Sequence, residues 1–446
     1  MTLRINLVSL FALLAVLMQG QQSAPANVDS LQKKVDHLEH DVTKMKKLLV
    51  TGWIQSQFQY IETRGAANFD GGTFSPNSDK RFMIRRGRVK FTYNGKNSQY
   101  VMQINGSERG LNLVEIFGVL TDPLVKSFSL TVGVMNRPFG FEIDQSSAVR
   151  ESPERSRYTQ ILMPNERDLG AKIIFAPGKG HKLNGLRLDA GFYNGQGVYV
   201  PGTSTPAGYQ AYTTPVLGVN EMDFQKDFIG RLQYYKELSS KIKVGIGASH
   251  YNGGNLYQTN IVYDNISQNA KNVNDWVAHD TSASVFRNKK APRVYTGVEA
   301  YFRLATNAGS TTVRGEYIQG TQSGSSGSTA SPLFQNTISS MYVRSFNAAY
   351  GYLIHRYKKH EAVLKVEFYD PNTKVKGADI IGGTTNKFTA ADIRYEQIGL
   401  GYNYYLNENI VWMFHYNFQR NEATGLSGYT SDLKDNVLTV RMQYKF

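Results

Sequence analysis

The sequence predicts an all-β protein, a transmembrane antiparallel β-barrel of about sixteen strands preceded by a short N-terminal periplasmic coiled-coil helix. Three observations predict it. From about Val50 to Phe446 hydrophobicity alternates with period two, giving each segment one greasy face and one mostly polar face. The connections between these segments are alternately long and tight. The longest apolar run stands at the start of the chain, where it reads as an export signal.

That signal is expected at residues 1–20. Arg4 precedes a run from Leu7 to Met18 broken only by Ser9, about 12 residues long, the size of a signal-peptide apolar core. A helical span needs about 20. No later stretch is as long, which excludes a helical membrane protein and favours secretion, with cleavage near Gly20. The absence of cysteine excludes disulfide scaffolds, thiol catalysis, Cys-ligated metals and a lipoprotein anchor. With 50 Lys+Arg against 36 Asp+Glu the formal charge is +14, and +13 once Arg4 leaves with the signal. The 28 Tyr, 23 Phe and 3 Trp exclude a disordered chain.

Residues 21–49 are expected to form a periplasmic helix with its flanking linker. Val28, Leu31, Val35, Leu38, Val42, Met45 and Leu49 recur at steps of three and four, an a/d heptad seam, with charges of both signs between them. About three heptads are too short to be stable alone, so the helix is expected to bundle only within a larger assembly.

Residues 50–446 form the barrel. Its strands are expected at 50–61, 80–94, 97–106, 112–121, 126–136, 168–176, 184–193, 225–236, 241–251, 292–304, 310–320, 341–356, 361–370, 393–405, 409–420 and 435–446. Ile410, Trp412, Phe414, Tyr416 and Phe418 alternate with Val411, Met413, His415, Asn417 and Gln419. The last strand sets Leu438, Val440, Met442, Tyr444 and Phe446 against Thr439, Arg441, Gln443 and Lys445. The greasy faces could belong to a soluble core or to lipid. Long Gly/Ser/Thr/Asn-rich loops alternating with tight turns at Gly95–Asn97, Glu237–Ser240, Tyr357–His360 and Leu406–Glu408 favour lipid, because an outer-membrane barrel has long external loops and short periplasmic turns. The terminal aromatic Phe446 on an alternating strand suits recognition by the bacterial barrel-assembly machinery.

A barrel of this size has a lumen wide enough for water, so diffusion of small solutes is the default function. Arg81, Arg85, Arg86, Arg88 and Lys90 form a run without a carboxylate. With Val89, Phe91 and Tyr93 facing lipid, Arg86, Arg88 and Lys90 face the lumen, and Arg85 can join Arg86 there only at the strand's start or across a β-bulge. A cation facing lipid at mid-membrane would cost about 2–4 kcal/mol. Arg150, Arg155, Arg157 and Arg167 follow in the third external loop, interleaved with Glu151, Glu154 and Glu166. Lys241 and Lys243 are further inward-facing candidates.

The segments Ile84–Phe91, Tyr100–Asn105, Gly133–Glu142, Glu154–Ser156, Leu169–Gly170, Gly399–Asn407 and Arg441–Phe446 resemble the phosphate-selective porin O and P family. The resemblance covers residues 50 to the end. It implies a sixteen-stranded homotrimeric outer-membrane channel whose arginines draw anions to a phosphate-sized constriction, with the third loop folded inward. Carried over by motif, Arg85, Arg86 and Arg155 are its constriction residues; Arg88, Lys90, Arg150, Arg157, Lys241 and Lys243 are further pore-lining candidates. Two positions depart from the pattern: Val114 stands where the family has an aspartate before the residue matching Glu115, and Ile143 where it has a lysine after the residue matching Glu142. Anion selectivity is therefore better supported than phosphate specificity.

No enzyme is expected. The eight histidines make no H-E-x-x-H arrangement, Gly195-Gln-Gly197 lacks the third glycine of a dinucleotide loop, and Gly324-Ser-Ser-Gly-Ser328 misses the nucleophile-elbow spacing. His37 and His40 lack a third ligand, so neither metal nor cofactor is expected, and secretion argues against nucleic acid as a partner. The expected partners are phosphate or other small anions, outer-membrane lipid, two further copies of the chain and the assembly machinery. A general non-selective porin and a structural or interaction barrel are the alternatives.

Overall fold

The computed structural model describes residues 28–108, 110–164, 166–195, 197, 225–256, 261–280, 289–330 and 340–446; the expected signal lies outside them. Helix α1 (Val28–Lys47) covers the heptad segment. Its seam residues Val35, Leu38 and Val42 are exposed on the single chain. The chain divides after Leu49 into this unit and the barrel.

Eighteen strands follow: β1 (Leu48–Ile61), β2 (Lys80–Asn94), β3 (Ser98–Ser107), β4 (Gly110–Thr121), β5 (Phe128–Asn136), β6 (Arg167–Phe175), β7 (Leu186–Tyr193), β8 (Asp227–Glu237), β9 (Ile242–Leu256), β10 (Ile261–Gln268), β11 (Asn274–Asp280), β12 (Lys290–Thr306), β13 (Gly309–Gly324), β14 (Met341–Tyr357), β15 (His360–Asp370), β16 (Tyr395–Tyr405), β17 (Ile410–Asn421) and β18 (Val437–Lys445). Each pairs antiparallel with the next, except that β9 bonds directly to β12 from Ile242↔Leu304 to Leu256↔Lys290. The β10–β11 hairpin is therefore an insertion in an external loop, touching the wall through a short parallel pairing of Val262 and Tyr263 with Met341 and Tyr342 on β14. The other sixteen strands close the ring, because β1 pairs with β2 on one side and with β18 from Trp53↔Lys445 to Ile61↔Val437 on the other. The expected strands all occur, within a few residues. The hairpin is the addition, and the connection between β3 and β4 is only residues 108–109.

Burial inverts the pattern of a soluble protein. Phe82, Leu120, Phe192, Ile246, Leu400 and Phe418 are exposed, whereas Gln55, Gln57, Gln59, Gln103, Asn403 and Gln443 are at most 3% exposed. An apolar outside over a polar inside suits lipid around an aqueous lumen. Among the described residues no helix is long and apolar enough to cross a membrane.

Two strands break their alternation on the inward side. Gln59, Gln57 and Gln55, evenly spaced on β1, meet Arg81, Met83 and then Arg86 on β2. Three residues of β2 stand against two of β1 at the last step, a bulge that turns both Arg85 and Arg86 inward. On β4 the pairing jumps from Gln103↔Glu115 to Ile104↔Leu113, so Val114 and Glu115 are both buried.

Candidate functional site

The site is built on the connection between β5 and β6, residues 137–166, which carries two short helices, α2 (Gly140–Asp144) and α3 (Arg157–Leu162). One side of it is apolar. Phe139, Ile143, Tyr158, Ile161, Leu162 and Met163 form one cluster with inward residues of the wall, among them Tyr251, Tyr295, Phe346 and Tyr350. Gly140 adopts φ +64, and a Cβ there would strike the Glu316 carboxylate, so glycine permits the loop's close approach to β13. The Phe141 amide donates to that carboxylate at 2.9 Å. With its backbone tied across the lumen, the loop folds inward.

The other side is polar. Gln55 donates to the Ser147 carbonyl at 2.8 Å, Gln443 to that of Ala148 at 2.9 Å and Arg441 to that of Pro153 at 2.7 Å. Glu151 takes a two-pronged bond from Arg314, at 2.9 and 2.6 Å. Glu154 is the hub. It accepts from Arg85 at 2.9 and 3.1 Å, from Arg86 at 2.8 and 3.3 Å and from Arg441 at 2.7 Å. Burial opposes ionisation of this carboxyl, but the facing guanidiniums of Arg85, Arg86 and Arg441 outweigh it and hold Glu154 well below the usual carboxylate range. Three arginines on one carboxylate leave a positive excess in a nearly dry site.

The residues singled out in the sequence separate into groups. Arg85, Arg86 and Arg150 come together around Glu154. Arg155 is a correction to the expectation that it faces the permeating ion. Its guanidinium turns back into its own loop, donating to the carbonyls of Glu142 at 2.6 Å, Gln145 at 3.0 Å and Ile143 at 3.3 Å and pairing with Glu166. It fastens the loop, because unbonded carbonyls in a buried turn are costly and a guanidinium has five donors to cap them. From Glu166 an alternating chain of charge runs through Arg167 and Glu115 to Lys90, the last step 3.9 Å long. Arg88 lies over the Trp53 ring at 5.7 Å. Arg157 stacks between Phe69 and Tyr395, at 4.4 and 3.3 Å from their centroids, away from Glu154. Lys243 pairs with Glu237 beside the short turn, and Lys241 is exposed within it; neither joins the arginine group.

Arg441 was not singled out. Its signals were lumen parity on the last strand and a place in the closing resemblance segment, and its meaning depends on ring closure, which sets β18 beside β1 and so near β2.

No family profile matches the sequence, and no curated protein sequence matches it. Solved structures do. The outer membrane channel DcaP of Acinetobacter baumannii superposes with a TM-score of 0.51 at 10% identity, over 90% of this chain and 97% of that one. The fold is that of an outer-membrane channel barrel. An anion-selective porin from Comamonas acidovorans matches at TM-score 0.47 and 10% identity, over 90% of this chain and 99% of that one. OmpT of Vibrio cholerae, in a form lacking one loop, matches at TM-score 0.47 and 9% identity, over 90% and 99%. Chemically, a barrel with this group of guanidiniums can replace the hydration of an oxyanion with charge-assisted hydrogen bonds.

Proposed function

We propose that this porin passes small anions by diffusion across the outer membrane, with phosphate and related oxyanions drawn through a constriction between the Arg85–Arg86 bulge and the inward loop. The single observation behind this is the bulge itself, which aims two successive arginines at a loop offering them one carboxylate, shared with Arg441. The motif resemblance to phosphate-selective porins supports the same reading. The chain is then exported by residues 1–20, inserted by the barrel-assembly machinery and assembled as a homotrimer whose α1 helices bundle in the periplasm along their exposed seams. Passage needs no catalysis, only binding weak enough to release.

The test is the reversal potential of purified protein in planar bilayers across a KCl gradient, with and without phosphate, for wild type and Arg86→Ala. Chloride selectivity with a phosphate block that the variant loses supports the reading. Cation selectivity returns the chain to a general porin. A second reading, an interaction barrel with a plugged lumen, is favoured by the many bonds tying residues 137–166 to the wall, and it predicts no conductance.

A further inference from the structure

Arg150 is the group in the constriction that the loop's own bonding does not use. It is 5% exposed, and none of its three guanidinium nitrogens has a hydrogen-bond partner in the protein. An unpartnered buried charge is expensive. Its surroundings raise that cost, because it shares the site with the like charges of Arg85, Arg86, Arg88 and Arg155. Two carboxylates face it, Glu154 and Glu142. Both are engaged. Glu154 is surrounded by Arg85, Arg86 and Arg441, while Glu142 accepts from the Ser156 amide at 2.8 Å, the Ser156 hydroxyl at 2.5 Å, Thr159 at 3.0 Å and Tyr352 at 3.3 Å. A carboxylate offers about four acceptor positions; Glu154 has none left for Arg150 or for a ligand, and Glu142 keeps one on Oε1, where Tyr352 alone donates.

We infer that Arg150 is the ligand-facing residue of this constriction and that the site takes tetrahedral dianions as a class, sulfate as well as hydrogen phosphate. The inference rests on the anion-channel reading above and adds to it the residue and the ligand class. A free guanidinium fork matches two oxygens of either ion. Arg85, Arg86, Arg150 and Arg441 against Glu154 leave more than one positive charge to neutralise, which favours a dianion over a monoanion. Discrimination between the two dianions is another matter. Hydrogen phosphate carries one O–H donor and sulfate carries none, so a site that prefers phosphate must hold an acceptor for that proton. Glu154, the carboxylate that stands among the arginines, is saturated and supplies none.

The test is inhibition of chloride current through the purified full-length protein in planar bilayers at about pH 8, above the second ionisation of phosphate, with sulfate, phosphate and nitrate as probes. Sulfate and phosphate are expected to block at concentrations within about threefold of each other and nitrate at least about tenfold more weakly, a difference of about 1.4 kcal/mol. Arg150→Gln is expected to weaken both dianions about 10- to 100-fold, the usual range for a lost charged hydrogen bond, while Lys434→Gln on an exposed loop changes neither. Heat-dependent gel mobility reports folding. If Arg150→Gln fails to fold, Arg150→Lys, which keeps the charge and loses the fork, is expected to weaken block by a smaller factor. Unchanged dianion block in a folded Arg150 variant overturns the inference, as does phosphate binding more than about tenfold tighter than sulfate. A wild-type channel without anion preference refutes the anion-channel reading itself; anion preference without block by either dianion refutes only the present inference.

Discussion

The lumen has two unlike walls. On β7 to β9 and β12 to β15 the inward positions include Tyr193, Ile229, Tyr251, Tyr295, Ile318 and Tyr352, and the loop lies against them through its apolar side, with Glu316 and Arg314 on β13 as its polar ties there. On β16 to β18 and β1 to β4 they include Asn403, His415, Arg441, Gln55, Arg86 and Glu115, and the loop meets them with carbonyls and carboxylates. The difference teaches how a pore can keep arginines in reserve. Apolar burial is non-directional, and each large side chain contributes about 1.5–3 kcal/mol when it leaves lumen water. A loop anchored that way needs few of the ion pairs that would otherwise consume every cation opposite. The tyrosine wall holds the loop, and on the proposed function the arginine wall faces the permeating anions.

The sharpest way to break this comparison is to reverse charge on one wall only. Arg85→Glu with Arg86→Glu is expected to invert selectivity, changing the sign of the reversal potential in a KCl gradient, while the loop stays seated on the tyrosines. A variant that remains anion-selective would show that selection happens elsewhere. Next in size is Glu154→Gln. Three arginines then lose their shared carboxylate, and breaking a buried ion cluster by removing one partner costs about 3–5 kcal/mol. The expected outcome is a lower unfolding temperature and noisier single-channel current, with anion preference kept or increased. Leu162→Ala, on the loop's apolar side against the other wall, is expected to cost about 2–5 kcal/mol and to leave the reversal potential unchanged. If it shifts selectivity as much as the arginine variants do, the two walls do not divide the work.

The two walls were also unequally legible. Strands of the polar wall, such as Ile410–Asn421 and Val437–Lys445, alternate cleanly, because lipid selects one face and water the other. On β14 the inward row Phe346, Ala348, Tyr350, Tyr352 and Ile354 is as apolar as a core, so period two survives there only as burial. Number and order of the barrel strands could still be read, since turn spacing carries them. The β10–β11 hairpin could not, being an insertion with no counterpart in that spacing. At the site, Arg85 with Arg86 was visible as a conflict of parity that a bulge resolves. The directions of Arg155 and Arg150, five residues apart in one loop, were not, because no periodicity governs a loop and only its carbonyls decide which guanidinium is used.

Acid offers a gentler probe of the same contrast. The Glu154 carboxyl has a depressed pKa in the folded protein, so its tie contributes stability above the ordinary glutamate value of about 4.3 and loses it only as pH falls through the depressed value. The apolar contacts of the loop with the tyrosines carry no such dependence of their own. Channel noise and reversal potential are therefore expected to hold steady from neutral pH to about pH 5 and to change only in stronger acid, in single-channel recordings taken stepwise. A transition between about pH 6 and 7 that Glu154→Gln abolishes would mean that the three arginines do not control the hub. The smallest expected effect lies at the short-turn rim, where Lys243 and Glu237 form an exposed pair. Exposed pairs contribute little and salt screens them within about 10 Å at 0.1 M. Lys241→Gln with Lys243→Gln should lower anion conductance slightly at low salt and not at all near 1 M, because those lysines can only raise the local anion concentration at the mouth. A loss that persists at high salt would place them in the conducting path and extend the arginine wall down to the rim.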